Sequence, residues 1–342
     1  MTNKLITQPL AWHAQAWSQL QAQILSGETA HAYLISGEAD SGKRQFATLL
    51  AQRILCRTPL AGAACGHCTA CRLNAAGNNP DLHLLIPEDK SKIIKIDQVR
   101  ELKKYIETSS HAFGKRIVIL DAAENLNINA ANALLKSLEE PPPDVMILVL
   151  SDRPKFVLPT ISSRCAALKL PPPSEEQSLV WLSEQLPGSE REALEFALDY
   201  AQGRPFAALG IVGTDEDKQA LNNALLKILQ QQELATKVAG RYYKTHAKEL
   251  LETLAYWLSA LAKFHVTGKQ QMLKGTLLQE AARALNSSIQ DQGQLVRGLL
   301  NLYQRVCESQ SQLAGGANPN MQLMLEDLLL QLQGLSSREA RH

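Results

Sequence analysis

Two stretches of this chain hold residues whose types and spacing could do chemistry. The first is Gly37-Glu38-Ala39-Asp40-Ser41-Gly42-Lys43-Arg44, which follows a short apolar run and opens a helical stretch. A glycine loop in that context turns backbone N–H groups and a helix N-terminus toward phosphate oxygens, and its lysine reaches the β- and γ-phosphates of a nucleotide. Gly37, Gly42 and Lys43 are therefore the candidate nucleotide-binding residues. The next position should carry a hydroxyl that ligates Mg²⁺. Arg44 stands there instead and has no lone pair to offer a metal. Asp40 also places negative charge near the phosphate path. A glycine-containing turn with a solvated lysine fits the octet equally well, so nucleotide binding stays open at this stage.

The second stretch holds four of the six cysteines, Cys56, Cys65, Cys68 and Cys71, within sixteen residues. Two-residue gaps let neighbouring thiolates converge on one ion, Gly62 and Gly66 permit tight turns, and four soft ligands favour tetrahedral Zn²⁺. No coordination position is left for water, which implies a structural site. His67 is a weaker candidate ligand, and a set of reduced thiols is the alternative. Cys165 and Cys307 stand apart and are assigned to packing.

These residues need elements to position them. Ala32–Ile35, Leu82–Ile86, Arg116–Leu120, Val145–Leu150 and Ala166–Leu170 read as buried strands. They alternate with helices at Arg44–Leu55, from Asp97 as an N-cap through Val99, Leu102 and Ile106, and at Ala130–Glu139, which the prolines from Pro141 must end. Strands alternating with helices predict a parallel sheet covered on both faces, an α/β module. Arg116–Asp121 is an apolar strand ending in an acid, the pattern in which the carboxylate supports Mg²⁺. A hydrolase would carry Glu next, but Ala122 and Ala123 follow, and Glu124 lies too far along to substitute. After Pro171–Pro173 every periodic stretch reads as helix: 174–186, 190–202, a short helix after Pro205, then 221–231, 247–264, 277–285, 295–307 and 321–332. The expected domains are 1–170 with the cysteine module at 56–71, a small helical lid at 171–213, and an all-helical region at 214–342.

Three motifs carry a resemblance. They are His31-Ala32-Tyr33, the run from Ala130 to Pro142 (Ala-Ala-Asn-Ala-Leu-Leu-Lys-Ser-Leu-Glu-Glu-Pro-Pro), and Thr160-Ile161-Ser162-Ser163-Arg164-Cys165. Together they resemble the AAA+ subunits of the bacterial DNA polymerase III clamp loader, by motif over about residues 1–210 and beyond that by helical character. The gamma/tau type in that family keeps Lys-Ser/Thr and Asp-Glu intact, whereas the delta-prime type carries degenerate versions, and Arg44 and Ala122 match the latter. The resemblance implies an AAA+ P-loop module, a lid and a helical collar for oligomerisation. It implies no intrinsic ATPase, but membership of the DNA-directed DNA polymerase III holoenzyme, a nucleotidyltransferase complex. It implies a stator role, with gamma/tau and delta subunits as partners and with the sliding clamp and primed DNA reached through the assembly. It assigns Arg164 as an arginine finger acting in a neighbour's ATP site. It also puts Ser151-Asp152 at the sensor-1 position and Phe206 where a hydrolase has its sensor-2 arginine, with Arg204 two residues earlier. The four-cysteine cluster matches a zinc module of the same family.

Bulk properties narrow the alternatives. The formal net charge of +1 gives no general pull toward nucleic acid, and there is neither an apolar leader nor a run long enough to span a membrane, so a cytoplasmic chain is expected. Lys90, Lys92, Lys95, Arg100, Lys103 and Lys104 form a basic stretch that reads more readily as a solvated face than as a DNA contact. Met321–Leu332 carries a broad apolar stripe, either core or interface. The rival functions are a self-hydrolysing AAA+ ATPase of the gamma/tau type, which would turn over ATP through Lys43, and a zinc-containing nucleic-acid adaptor, which would bind DNA in a salt-sensitive way.

Overall fold

The computed structural model describes residues 5–60, 62–87, 93–107, 114–212, 215–273, 276–286, 291–314 and 319–336. The chain divides into two compact units, Met1–Ser178 and Leu179–His342.

The first unit is built on five parallel strands: β1 (Ala32–Ser36), β2 (Leu82–Leu85), β3 (Arg116–Leu120), β4 (Val145–Ser151) and β5 (Ala166–Lys169), in the order β2-β3-β4-β1-β5. Every residue of β3 and β4 is buried. Alternation along a strand sends successive side chains to opposite faces, so a strand buried throughout must be covered on both. The two cores show this directly. Val118, Leu120, Ile147 and Val149 pack with residues of α4 (Ile96–Glu107) and α5 (Ile128–Glu139). Ile117, Ile119, Met146, Leu148 and Leu150 pack with residues of α1 (Ala14–Ser26) and α2 (Lys43–Leu55).

Local devices set the ends. Asn127 caps α5, its side chain accepting from the Ala130 N–H at 2.8 Å. His31, at the entry to β1, bonds the Leu138 carbonyl through Nε2 at 3.0 Å and so ties the foot of the strand to the end of α5. α4 begins at Ile96, so Asp97 lies in its first turn, where a carboxylate suits the helix dipole, rather than at the cap. Arg116 opens β3 from a buried position. Its Nη1 donates to the Tyr105 carbonyl at 2.7 Å, and Nε and Nη2 meet the Asp144 carboxylate at 3.3 Å each.

In the second unit the expected lid helices are α7 (Glu175–Gln185, which begins just before the division), α8 (Arg191–Tyr200) and α9 (Pro205–Val212). They share a small core of Leu182, Leu194, Ala197, Leu198, Ala201 and Ala208. A larger core joins α10 (Asp215–Leu229), α11 (Ala235–Tyr242), α12 (Ala247–Thr267), α13 (Thr276–Asn286), α14 (Gln292–Ala314) and α15 (Met321–Ser336). The stripe on α15 is core at Leu325, Leu328, Leu329 and Leu332, while Leu323 and Leu330 are exposed. Polar bonds link α8 to α12: Tyr256 Oη donates to Asp199 Oδ2 at 2.7 Å, and the Tyr200 and Thr253 hydroxyls meet at 2.8 Å. Among the described residues no helix is long and apolar enough to cross a membrane.

Replacing Arg116 with Ala would leave Asp144 and the Tyr105 carbonyl without their partner. The expected loss is about 3 kcal/mol in the unfolding of the first unit, read as a lower urea midpoint at unchanged slope.

Candidate functional site

The carboxyl ends of β1, β4 and β3 lie side by side, and each hands a polar residue to the same edge of the sheet. This is where parallel α/β sheets place ligands. From β1 the chain enters the loop Gly37–Gly42. Gly37 N–H donates to the Ser151 carbonyl at 3.4 Å, and a Cβ at Gly37 would come within 3.2 Å of the Leu170 carbonyl oxygen. Gly42 is left-handed, with φ +95°, and caps α2; a side chain there would be strained. The Glu38 carbonyl accepts from the Ser41 hydroxyl at 2.7 Å and also from Lys43 Nζ. The loop thus has the strand-to-helix context the sequence predicts.

The two cations that open α2 are already paired. Lys43, only 6% exposed, places Nζ 2.5 Å from Asp152 Oδ1, at the end of β4. Arg44 Nε and Nη2 each lie 2.5 Å from Asp121 Oδ2, at the end of β3. Ala122 takes the position after Asp121 with φ +60°. Glu124 sits on the following turn and accepts the Asp152 N–H through Oε1 at 3.1 Å. That contact accounts for Glu124: it braces the end of β4. Asp40 is exposed, with φ 53°.

Sequence reasoning placed Ser151-Asp152 at this edge but did not foresee the Lys43–Asp152 pair. It also missed Trp12 and His13. Trp12 Nε1 donates to the Ser41 carbonyl at 2.9 Å. His13 is fully buried, meets the Trp12 and Phe46 rings edge-on at 5.8 and 5.5 Å, and neither ring nitrogen has a hydrogen-bond partner. No local motif announces either residue, because both come from a segment about thirty positions upstream of what they touch, the loop for Trp12 and Phe46 of α2 for His13.

The four cysteines form a second site. Cys56 caps the end of α2, Cys65 lies in the intervening turn, and Cys68 and Cys71 stand at the start of α3 (Thr69–Ala76), a helix absent from the sequence reading. All four Sγ atoms lie within 4.8 Å of one another, and the Cys56–Cys68 and Cys65–Cys71 pairs are each 3.9 Å apart. A tetrahedron with metal–sulfur bonds of about 2.3 Å has edges of about 3.8 Å, so these thiols are spaced to hold one ion. Backbone N–H groups already point at two of the sulfurs, Cys65 N–H at Cys56 Sγ (3.2 Å) and Cys68 N–H at Cys65 Sγ (3.4 Å). Hydrogen bonds of that kind orient metal ligands. The Thr58 side chain, followed by the His67 and Cys68 backbone, draws the Cys65 thiol down to about 5, whereas burial pushes the Cys56 and Cys71 thiols up. His67 bonds the Cys65 carbonyl through Nδ1 and stands outside the set. Gly62 and Gly66 both have φ +83°, as the tight turns require. Cys165 packs against the apolar core, and burial pushes its thiol up to about 11.

Arg164 lies just beyond α6 (Pro159–Ser162) and is 33% exposed. Its Nε donates to Glu139 Oε1 at 2.7 Å, Nη2 meets the same oxygen, and Nη1 donates to the Thr160 carbonyl at 2.8 Å. Phe206 stacks on Trp181 with ring centroids 4.5 Å apart, and Arg204 Nε donates to the Ala201 carbonyl at 2.8 Å. Of the basic stretch, Lys95, Arg100 and Lys104 are exposed, Arg100 pairing with Asp97 at 2.9 Å; Lys90 and Lys92 fall outside the described residues.

His13 gives the site a pH signature. Burial, and then the charge of Lys43, lowers it from 6.5 to about 4. Between those values the unfolded chain holds a proton that the folded chain does not, so stability rises from pH 4 to pH 6.5 and is fully present above. A His13→Phe variant is expected to flatten the rise of melting temperature across that window.

Comparison with known proteins accords with this geometry. Residues 12–174 match the family described as "DNA polymerase III, delta subunit", and residues 213–334 match "DNA polymerase III, delta subunit, C terminal". The chain is 35% identical over 326 residues to DNA polymerase III subunit delta' of Pseudomonas aeruginosa, covering 95% of this chain and 97% of that protein. It is 29% identical over 324 residues to the Escherichia coli subunit of the same name, covering 94% of each. A solved gamma subunit-related protein of Thermotoga maritima aligns at a TM-score of 0.47 and 20% identity, covering 94% of this chain and 99% of that one. By its two family matches and its full-length relatives, the chain belongs to the delta-prime subunit family of bacterial DNA polymerase III.

Proposed function

We propose that this chain is the non-cycling stator of the DNA polymerase III clamp loader. It joins gamma/tau and delta subunits in a cytoplasmic hetero-oligomer through its helical region and helps load the sliding clamp onto primed DNA during replication. The observation that carries this reading is the Arg44 guanidinium lying against Asp121, with Ala122 in place of the acid that would activate water. A chain so built has neither the metal ligand nor the general base that hydrolysis needs, so its contribution to ATP turnover must fall on a neighbour's site. The bonds between α8 and α12 support the same reading, since they fasten the small helical group to the larger one.

Arg164 is the residue proposed to serve the neighbour. Its partner Glu139 is half-exposed, and an ion pair in that setting is weak. A γ-phosphate with more charge and less water around it can take the guanidinium over, while Glu139 and the Thr160 carbonyl hold it oriented until then. Arg164→Ala is expected to leave assembly intact and to lower turnover at the served ATP site by about tenfold or more, measured as clamp- and DNA-stimulated ATPase of the reconstituted complex. Unchanged activity would remove the finger role.

The cysteine cluster is proposed to hold one structural Zn²⁺ through Cys56, Cys65, Cys68 and Cys71. With four protein ligands the ion would have no open position for water or substrate, and its work would be to fasten the turn after α2 to α3. Elemental analysis is expected to find one zinc per chain, and Cys71→Ser to lose it with a drop in melting temperature. A fully folded chain purified free of metal would count against the site.

A further inference from the structure

The residues at the sheet edge do not fit a Mg²⁺-nucleotide, and the misfit is itself organised. We propose that the P-loop of this chain is self-liganded: Asp152 supplies Lys43 with the anion that a nucleotide's terminal phosphate would provide, and Arg44 supplies Asp121 with the cation that Mg²⁺ would provide.

Lys43 sets the requirement. A lysine that is 6% exposed must have a counter-charge close by, because an unpaired buried ammonium is costly. In a working P-loop that charge arrives with the phosphates. Here it arrives from β4: Asp152 is 45% exposed, so burial does not compel it to pair, yet its Oδ1 lies 2.5 Å from Nζ. Two further bonds hold the end of β4 where this reach is possible. The Asp152 N–H donates to Glu124 Oε1 at 3.1 Å, and the Arg153 N–H donates to Ser151 Oγ at 3.1 Å. A nucleotide phosphate would have to displace a tethered carboxylate whose effective concentration never falls.

The cation half follows the same logic. The position after the loop lysine normally gives a hydroxyl to Mg²⁺, and the acid ending β3 supports the same ion. Arg44 spans that gap itself, with Nε and Nη2 each 2.5 Å from Asp121 Oδ2. A guanidinium is charged at any physiological pH and cannot be chelated away. The loop after β1, the end of β3 and the end of β4 are therefore braced by two ion pairs of the chain's own making. In a cycling subunit the Mg²⁺-nucleotide makes those connections and breaks them on hydrolysis. This deepens the stator reading and rests on it for its purpose, although the geometry belongs to the single chain.

The test uses the purified full-length chain, with ATP or ADP as the probe, in Mg²⁺ or in EDTA, followed by calorimetric titration and thermal shift. Wild type is expected to show no response at millimolar nucleotide in either condition. Asp152→Asn removes the counter-charge of the buried Lys43; it is expected to lower the melting temperature and, as the folded chain, to bind nucleotide at least tenfold more tightly than wild type. That binding should be equal in Mg²⁺ and in EDTA, because Arg44 still holds the metal's place. Adding Arg44→Ser should make binding at least tenfold weaker in EDTA than in Mg²⁺. The inference is overturned if wild type binds nucleotide in a Mg²⁺-dependent manner, if folded Asp152→Asn gains no affinity, or if its binding requires Mg²⁺. The single variant decides both halves even where the double one fails to fold. Failure of this inference would remove the Arg44 half of the case for the stator reading but leave Ala122 in place of the activating acid, and the ATPase of the assembled complex decides that reading separately.

Discussion

A parallel strand covered on both faces has nowhere to put a charge except at its ends. In β3 and β4 every side chain is buried, and those strands run between two helical layers. Arg116 stands at the amino end of β3, and Asp121 and Asp152 follow the carboxyl ends of β3 and β4. The polar chemistry of the first unit follows from that constraint. Adjacent parallel strands bring their carboxyl ends to one edge, and the loop from β1 arrives there with its lysine and arginine. No residue of the site needs a long excursion to reach the others.

Once gathered, these charges must be balanced. Lys43 is too buried to stand alone, and Arg44 and Asp121 are close enough that neither needs a third party. The resulting braces connect the β1 loop to the ends of β3 and β4, and Glu124 adds a hydrogen bond between the turn after β3 and the start of the chain beyond β4. These contacts fasten three separate strand ends to one another through the chain's own side chains. The same economy holds in the second unit. There Tyr200, Tyr256, Asp199 and Thr253 place hydrogen bonds inside an otherwise apolar contact between α8 and α12, where leaving a phenol unpaired would be costly.

The cysteine module solves a different problem with related means. The stretch after α2 has only a small apolar cluster of its own, Cys56, Ala64 and Cys71 with Leu5, Cys65 and Cys68 beside it. So little core cannot order a turn-rich segment by itself, and a bound ion would supply the missing cross-link. Two backbone N–H groups, of Cys65 and Cys68, are directed at sulfurs of the cluster.

Much of this was legible in the sequence. Apolar runs closed by glycine, an acid or proline marked all five strands, and the proline run from Pro141 ended α5 as expected. The Cys-x-x-Cys spacing picked out the four thiols that the fold brings together, and Arg44 and Ala122 marked the departures from the hydrolysing pattern. These are local properties: periodicity, a proline, the spacing of like residues, the absence of a hydroxyl. Three things were not legible. The helix at Thr69–Ala76, on which Cys71 sits, is too short to carry a clear period. Trp12 reaches the loop, and His13 reaches Phe46 of α2, from far upstream. The identity of the partners of Lys43 and Arg44, one from β4 and one from β3, was decided only by the strand order. Residue types fix what charge each side chain carries, but which opposite charge it meets is set by tertiary proximity, because electrostatic attraction depends on distance in space and not on separation along the chain.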